Sequence, residues 1–360
     1  MMEIDLGKGK DNDPDLDRRL PVNVLTGFLG SGKTTLLNRM LRDPAFANCA
    51  VLINEFGAIG IDHQLVENVD GDVVLLQSGC ICCTIRGDLS AAMRGLYDRR
   101  ERGTVPAFTR LLIETTGLAD PTPVLATVMH DTVLQHHFRP GNVITTIDAV
   151  HAAGQFTRHV ESRKQVAIAD RLVLTKSELV NAQEVDTLRL TIAQLNPAAT
   201  LSVANDETFD VEHLLGQDMF QEEGKLREVG TWLRAARERK YFPRHLGDPN
   251  VRGDIGGVIE AFVLEPGEGI DWNAFSLWLS LLLHRHGDKV LRVKGLLHVD
   301  GADTPIALHG VQQLVHPPEH LKQWPEGERK SCLVFIVQGL EPERVRRSWA
   351  GFQRRLARLV

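Results

Sequence analysis

The chain has 360 residues, 43 % of them hydrophobic and 24 % charged, with a net charge of −6. That length suits about two globular domains, and the negative balance argues against a general nucleic-acid binder. Five cysteines, three of them between Cys80 and Cys83, make no disulfide framework. They point to a reducing, cytoplasmic compartment. The longest apolar helical run, near Phe275–Leu283, is too short to span a bilayer, so no membrane partner is expected.

Met1 to Arg19 is polar and acidic and has no apolar segment. It reads as a frayed tail, residues 1–20, and not as a secretory signal. Pro21 to Thr26 then predicts a buried strand, and Thr35 to Arg42 an amphipathic helix carrying Leu36, Leu37, Met40 and Leu41. Between them stands Gly27-Phe28-Leu29-Gly30-Ser31-Gly32-Lys33-Thr34, a G-x-x-x-x-G-K-T phosphate loop. Its glycines let successive backbone N–H groups converge on phosphate oxygens. Lys33 adds a point charge on the β- and γ-phosphates, and the Thr34 hydroxyl is placed to ligate Mg²⁺. The helix start faces the same anions.

Ala50 to Ile53 predicts a second buried strand, running into Asn54-Glu55-Phe56-Gly57 and a polar loop through Asp62 and His63. That loop is either a nucleotide-sensing switch or an ordinary surface turn. Val73 to Leu76 predicts a strand, and Arg86 to Arg102 a helix with Leu89, Met93 and Leu96 on one face. They flank Gly79-Cys80-Ile81-Cys82-Cys83. Successive thiols cannot all face one apolar layer, and a vicinal disulfide is strained. Soft thiolates select Zn²⁺ or Cu⁺, and three sulfurs leave one tetrahedral position open, which suits a site that must give metal up. The alternative is a set of reduced structural cysteines.

Arg110 to Glu114 predicts a strand ending in an acid, with Gly117 three residues on. The pair matches the Mg²⁺-side carboxylate and the γ-phosphate-sensing backbone N–H of phosphate-loop enzymes. Val143 to Ile147 predicts a strand ending at Asp148, Glu161 to Asp170 a helix, and Arg171 to Leu174 a strand. Thr175-Lys176-Ser177-Glu178 follows as x-K-x-acid, a guanine-reading pattern in which the carboxylate accepts from N1–H and the exocyclic amine. Asp186 to Asn196 predicts a helix and Thr200 to Val203 a last strand. Alternating strands and helices imply a mostly parallel sheet over residues 21–216.

Residues 217–250 read as a charged, Gly/Pro-broken linker with one short helix at Thr231–Arg239. A smaller α+β domain over 251–360 is expected from strands at Gly257–Leu264, Val290–His298, Ile306–Val315 and Cys332–Gln338. Its helices are expected at Asp271–His286, with Asp271 as N-cap, and at Pro342–Leu359. The arginines of the last helix read as a solvated face. His284, His286, His136 and His137 lie at no ligand spacing.

GFLGSGKTT, NEFG, GCICC, ETTGLADP and TKSE, in this order, resemble the CobW-like GTPases, relatives of the HypB and UreG metallochaperones. The resemblance implies an α/β P-loop NTPase followed by the CobW C-terminal domain. It also implies GTP and GDP binding with Mg²⁺, slow hydrolysis, zinc or cobalt (Zn²⁺ or Co²⁺) at the CxCC thiols Cys80, Cys82 and Cys83, and hand-over of metal to a client protein. Carried over, Gly30, Gly32, Lys33, Thr34 and Thr35 hold phosphate and Mg²⁺, with Gly27 and Ser31 in the same loop. Glu114 and Gly117 form the second metal-side motif, and Thr175, Lys176 and Glu178 face guanine. Lys33, Thr34 and Glu114 form the catalytic set, Asn54 to Gly57 the switch, and Glu55, Asp62 and His63 the candidate auxiliary metal ligands. A homodimer is left open. Ala58 stands where the family often has an acid, and Glu178 where Asp is usual. Two rival readings are a small-molecule kinase on the same loop and a passive metal buffer with a regulatory nucleotide site.

Overall fold

The computed structural model describes residues 19–53, 74–77, 85–215, 257–325 and 329–356. Most of the expected tail, the segment with Asn54 to Gly57, Ala58, Asp62 and His63, the thiols Cys80, Cys82 and Cys83, and the linker lie outside these residues.

The first domain is built on β1 (Leu20–Gly27), in which Val22, Val24 and Leu25 are fully buried. Burial on both faces is the signature of a strand inside a parallel sheet. α1 (Lys33–Leu41) follows it and buries Leu36, Leu37, Met40 and Leu41, as its spacing predicts. Next come β2 (Cys49–Ile53), β3 (Val74–Gln77), α2 (Ile85–Glu101), β4 (Arg110–Glu114), α3 (Thr122–His130), the short α4 (Leu134–His137) and β5 (Phe138–Asp148). Then follow α5 (Ala152–Arg158), α6 (Val160–Ile168), β6 (Arg171–Thr175), α7 (Ala182–Leu195), β7 (Thr200–Val203) and α8 (Val211–Leu215). The seven strands lie in the order β3-β2-β4-β1-β5-β6-β7, with every pairing parallel. One face packs on α1 and α8 through Leu25, Leu37, Val51, Leu112 and Ile144. The other packs through Val24, Leu52 and Ile113 on a larger cluster that includes Leu89, Met93, Val166 and Ile192. Connections diverge to either side of β1, so the loop after it opens into the crevice at the strands' carboxyl ends.

Three elements differ from expectation for definable reasons. β5 begins at Phe138, five residues before the expected Val143, and all eleven of its residues are buried. Pro140 and Gly141 conceal it, and its pairing with β1 shifts register between Val22 and Val24. The peptide N–H of Asn142 bonds instead to the Asn23 side chain at 2.8 Å. α7 starts at Ala182 because Asn181 and Glu184 form a reciprocal capping box. In the second domain, the expected strand Ile306–Val315 is a hairpin.

That domain comprises β8 (Ile259–Leu264), α9 (Trp272–His286), β9 (Val290–Leu297), β10 (Ile306–Val311), β11 (Leu314–Val315), β12 (Glu319–His320), β13 (Cys332–Gln338) and α10 (Pro342–Leu356). The hairpin turns at Gln312 (φ 52) and Gln313. The sheet order is β11-β10-β9-β13-β8, with β12 on β10, all antiparallel. Asp271 caps α9 as expected, accepting from Ala274 N at 2.8 Å. One sheet face packs Phe262, Val293 and Phe335 against Phe275, Trp278 and Trp349 of the two helices. The other lays Ile259, Ala261, Leu291 and Ile336 on the first domain's core. At this seam Arg292, 3 % exposed, pairs with Asp170, 2 % exposed, and donates to the Ile168 carbonyl at 2.6 Å. Among the described residues no helix is long and apolar enough to cross a membrane.

Candidate nucleotide-binding site

Gly27 ends β1 at φ 145, a conformation open to glycine. A Cβ there would also stand 2.6 Å from the Thr146 carbonyl and 2.7 Å from Ser31 Oγ. Gly30 and Gly32 complete the turn at φ 73 and 88. Ser31, 1 % exposed, holds the loop onto β5 through a 2.7 Å bond between its hydroxyl and that of Thr146. The Lys33 ammonium folds over the loop and donates to the Gly27 carbonyl at 2.9 Å and to that of Phe28 at 3.4 Å. Thr34, in the first turn of α1, points its hydroxyl at Glu114 Oε1, 3.5 Å away. Glu114 closes β4 and is buried, and Thr35 is exposed on the same turn. A hydroxyl and a carboxylate 80 positions apart in the chain thus meet beside the lysine, because β4 lies against β1 with Leu25 opposite Glu114.

Gly117 lies against the phosphate loop from the other side. A Cβ on it would stand 2.8 Å from Leu29 N. Thr175 ends β6 and shares its hydroxyl proton between the carbonyls of Ser31 (2.8 Å) and Ile147 (3.1 Å). It therefore ties the base-side strand to the phosphate loop. Lys176 sits at φ 57 and reaches back to the Gly30 carbonyl at 2.8 Å and to Asp148 Oδ2 at 2.7 Å. Glu178 is exposed and receives the Asn205 amide. Both border a shallow groove of about 470 Å³ with Val180, Val185 and Val203. Arg39 holds the Asn205 loop, donating to the Ala204 carbonyl and stacking over Phe209 at 4.2 Å.

Three contributors escape the sequence reading. Asp148, 2 % exposed, anchors Lys176 and also bonds to His151 Nδ1 at 2.9 Å. Burial opposes its charge, but Lys176, His151 and the Val150 N–H outweigh that and hold its carboxyl below the ordinary value. Asn205 and Gln165 are the others, and both are joined to the site only by the fold. The thiols Cys80, Cys82 and Cys83 and the auxiliary Glu55, Asp62 and His63 lie outside the described residues. Among the described residues no three His, Cys, Asp or Glu side chains converge as a metal site. Cys49 and Cys332 are buried and in no disulfide among the described residues, and burial pushes the Cys49 thiol up to about 12.

The family model of the CobW/HypB/UreG nucleotide-binding domain matches residues 21–203, and that of the cobalamin synthesis protein cobW C-terminal domain matches residues 259–353. The chain is 32 % identical to the zinc chaperone YjiA of Escherichia coli, over 93 % of this chain and 99 % of the relative. It is 30 % identical to the zinc chaperone CobW of Pseudomonas aeruginosa, over 90 % and 88 %. The crystal structure of the Zn(II)-bound YjiA GTPase from E. coli superposes at a TM-score of 0.68, with 28 % identity, over 93 % of this chain and 99 % of that one.

Proposed function

The chain belongs to the CobW/HypB/UreG family of nucleotide-binding proteins, and from that premise we propose that it is a GTP-hydrolysing metallochaperone. It binds GTP with Mg²⁺, carries Zn²⁺ on Cys80, Cys82 and Cys83, and gives the metal to a client protein in step with its nucleotide state. The nucleotide half rests on one observation: the Thr34 hydroxyl and the Glu114 carboxylate, 3.5 Å apart, meet beside Lys33. Two hard oxygens suit Mg²⁺, which would neutralise charge on the phosphates. Lys33 and the loop N–H groups hold those phosphates. Lys176 lies along the base side, and Glu178, steadied by Asn205, accepts the two guanine donors.

The metal half draws on the thiolate chemistry of the CxCC segment and on relatives described as zinc chaperones. Those names favour zinc over cobalt as the cargo. Gly117 answers to the γ-phosphate, so hydrolysis changes the loops around the site and, through them, metal affinity or client contact. The test is phosphate release. Turnover of GTP that requires Mg²⁺, exceeds that of ATP, and is lost in Thr34→Ala and Glu114→Gln is expected. GTP turnover that persists in a chelator of Mg²⁺, or in both variants, overturns the assignment.

A further inference from the structure

The loop from Gly117 to Asp120 leaves β4 at the mouth of the phosphate loop and is gripped from behind by one side chain. Gln165, on α6, is 1 % exposed. Its amide nitrogen donates to the carbonyl of Gly117 at 3.2 Å and to that of Ala119 at 3.0 Å. Both amide hydrogens are therefore spent on this loop, while Oε1 has no hydrogen-bond partner among the described residues. The reversed amide would aim an oxygen at two carbonyls, so the chemistry selects this orientation. The helix behind the side chain is itself fixed. The Gln165 carbonyl accepts from Thr145 Oγ1 at 3.0 Å, and three residues on the Ile168 carbonyl accepts from Arg292 at 2.6 Å. On the other side of the loop, Gly117 is packed against Leu29 too closely for a Cβ.

We propose that Gln165 is a positioning residue for the terminal phosphate. By holding two carbonyls it fixes Gly117 against the phosphate loop, and so sets the preference for a nucleoside triphosphate over the diphosphate. This rests on the GTP reading given above. A diphosphate engages the Gly27–Thr34 loop and the base-side residues, whereas the third phosphate is the group that meets Gly117. A loop freed of its clamp must be ordered when that phosphate binds, at a cost in backbone entropy that the clamped loop does not incur again. The loss then falls on the triphosphate alone.

The experiment measures dissociation constants of the full chain for GDP and for a non-hydrolysable GTP analogue. It compares wild type with Gln165→Met, which keeps the volume without the donors, and with Gln165→Ala. The expected result is GDP affinity within about twofold of wild type and a triphosphate-to-diphosphate preference reduced about tenfold in both variants. An unchanged ratio in either variant overturns the proposal. Loss of GDP binding in both makes Gln165 a folding residue and also overturns it. A wild type that binds neither nucleotide defeats the GTP reading itself, a result distinct from the other two.

Discussion

The two sheets of this chain bury similar side chains and yet only one gathers chemistry. In the parallel sheet the strands all run one way, so Gly27, Glu114, Asp148 and Thr175 finish at the same edge. Residues far apart in sequence then meet: Ser31 with Thr146, Thr34 with Glu114, Lys176 with Gly30. In the antiparallel sheet successive strands reverse, and their loops divide between two edges. Two of its buried polar groups, Arg292 and His316, lie by Asp170 at the domain seam. The second domain therefore covers the first domain's core, and on the nucleotide side Gln312 donates to Asp120 Oδ2 at 3.2 Å. A parallel edge makes a site, whereas an antiparallel face makes an interface.

The largest effect is expected at the seam. Arg292→Ala leaves the buried Asp170 carboxylate without its countercharge, though still accepting from the Val143 N–H at 3.0 Å, and should lower unfolding free energy by about 3–5 kcal/mol. Urea denaturation reads it, with GDP affinity little changed at a temperature where the variant is folded. A next effect comes from His316. Burial first, and then the charge of Arg292, push its imidazole down to about 4, with Asp170 opposing. The unfolded histidine takes up its proton near 6.5, so between pH 6.5 and 4 the unfolded state holds more protons. Stability is therefore lost as pH falls through that window, by about 3 kcal/mol in all. His316→Gln should flatten the dependence of urea midpoint on pH there. A slope identical to wild type would mean the imidazole does not stay neutral.

Lys33→Ala tests the other region. GDP affinity should fall about a hundredfold, since the ammonium is the loop's own side-chain cation. The near-ultraviolet circular dichroism of Trp272, Trp278 and Trp349, all in the second domain's core, should not change. A smaller effect is expected from Glu178→Ala, about a tenfold drop in preference for GTP over ATP. Equal turnover of the two nucleotides by wild type would remove the guanine-reading role.

Much of the nucleotide side is legible in the chain because its requirements are local. A tight phosphate turn needs its glycines and lysine at fixed spacing, and Leu36, Leu37, Met40 and Leu41 declare the buried face of α1. What the sequence hides is long-range or disguised. Pro140 and Gly141 mask the start of β5. Gln312 and Gln313 make a turn with neither Gly nor Asn, so the hairpin reads as one strand. Asp148 is visible as a strand end, but its bond to Lys176 appears only when β5 and β6 pair. Gln165 and Asn205 carry no local mark at all, because their meaning lies in the carbonyls and the carboxylate that the fold brings to them.

Nucleotide-linked zinc binding is the central claim, and its direct measurement is a zinc competition titration against a chromophoric chelator, in GDP and in a non-hydrolysable GTP analogue. One Zn²⁺ should bind, with affinities in the two states differing by about 1–3 kcal/mol. Each of Cys80→Ser, Cys82→Ser and Cys83→Ser should weaken binding severely, because two thiolates remain. Cys49→Ser and Cys332→Ser should not, as both thiols are buried in cores. If Cys82→Ser binds zinc as tightly as wild type in both nucleotide states, the thiol cluster is not the metal site and the metallochaperone reading fails.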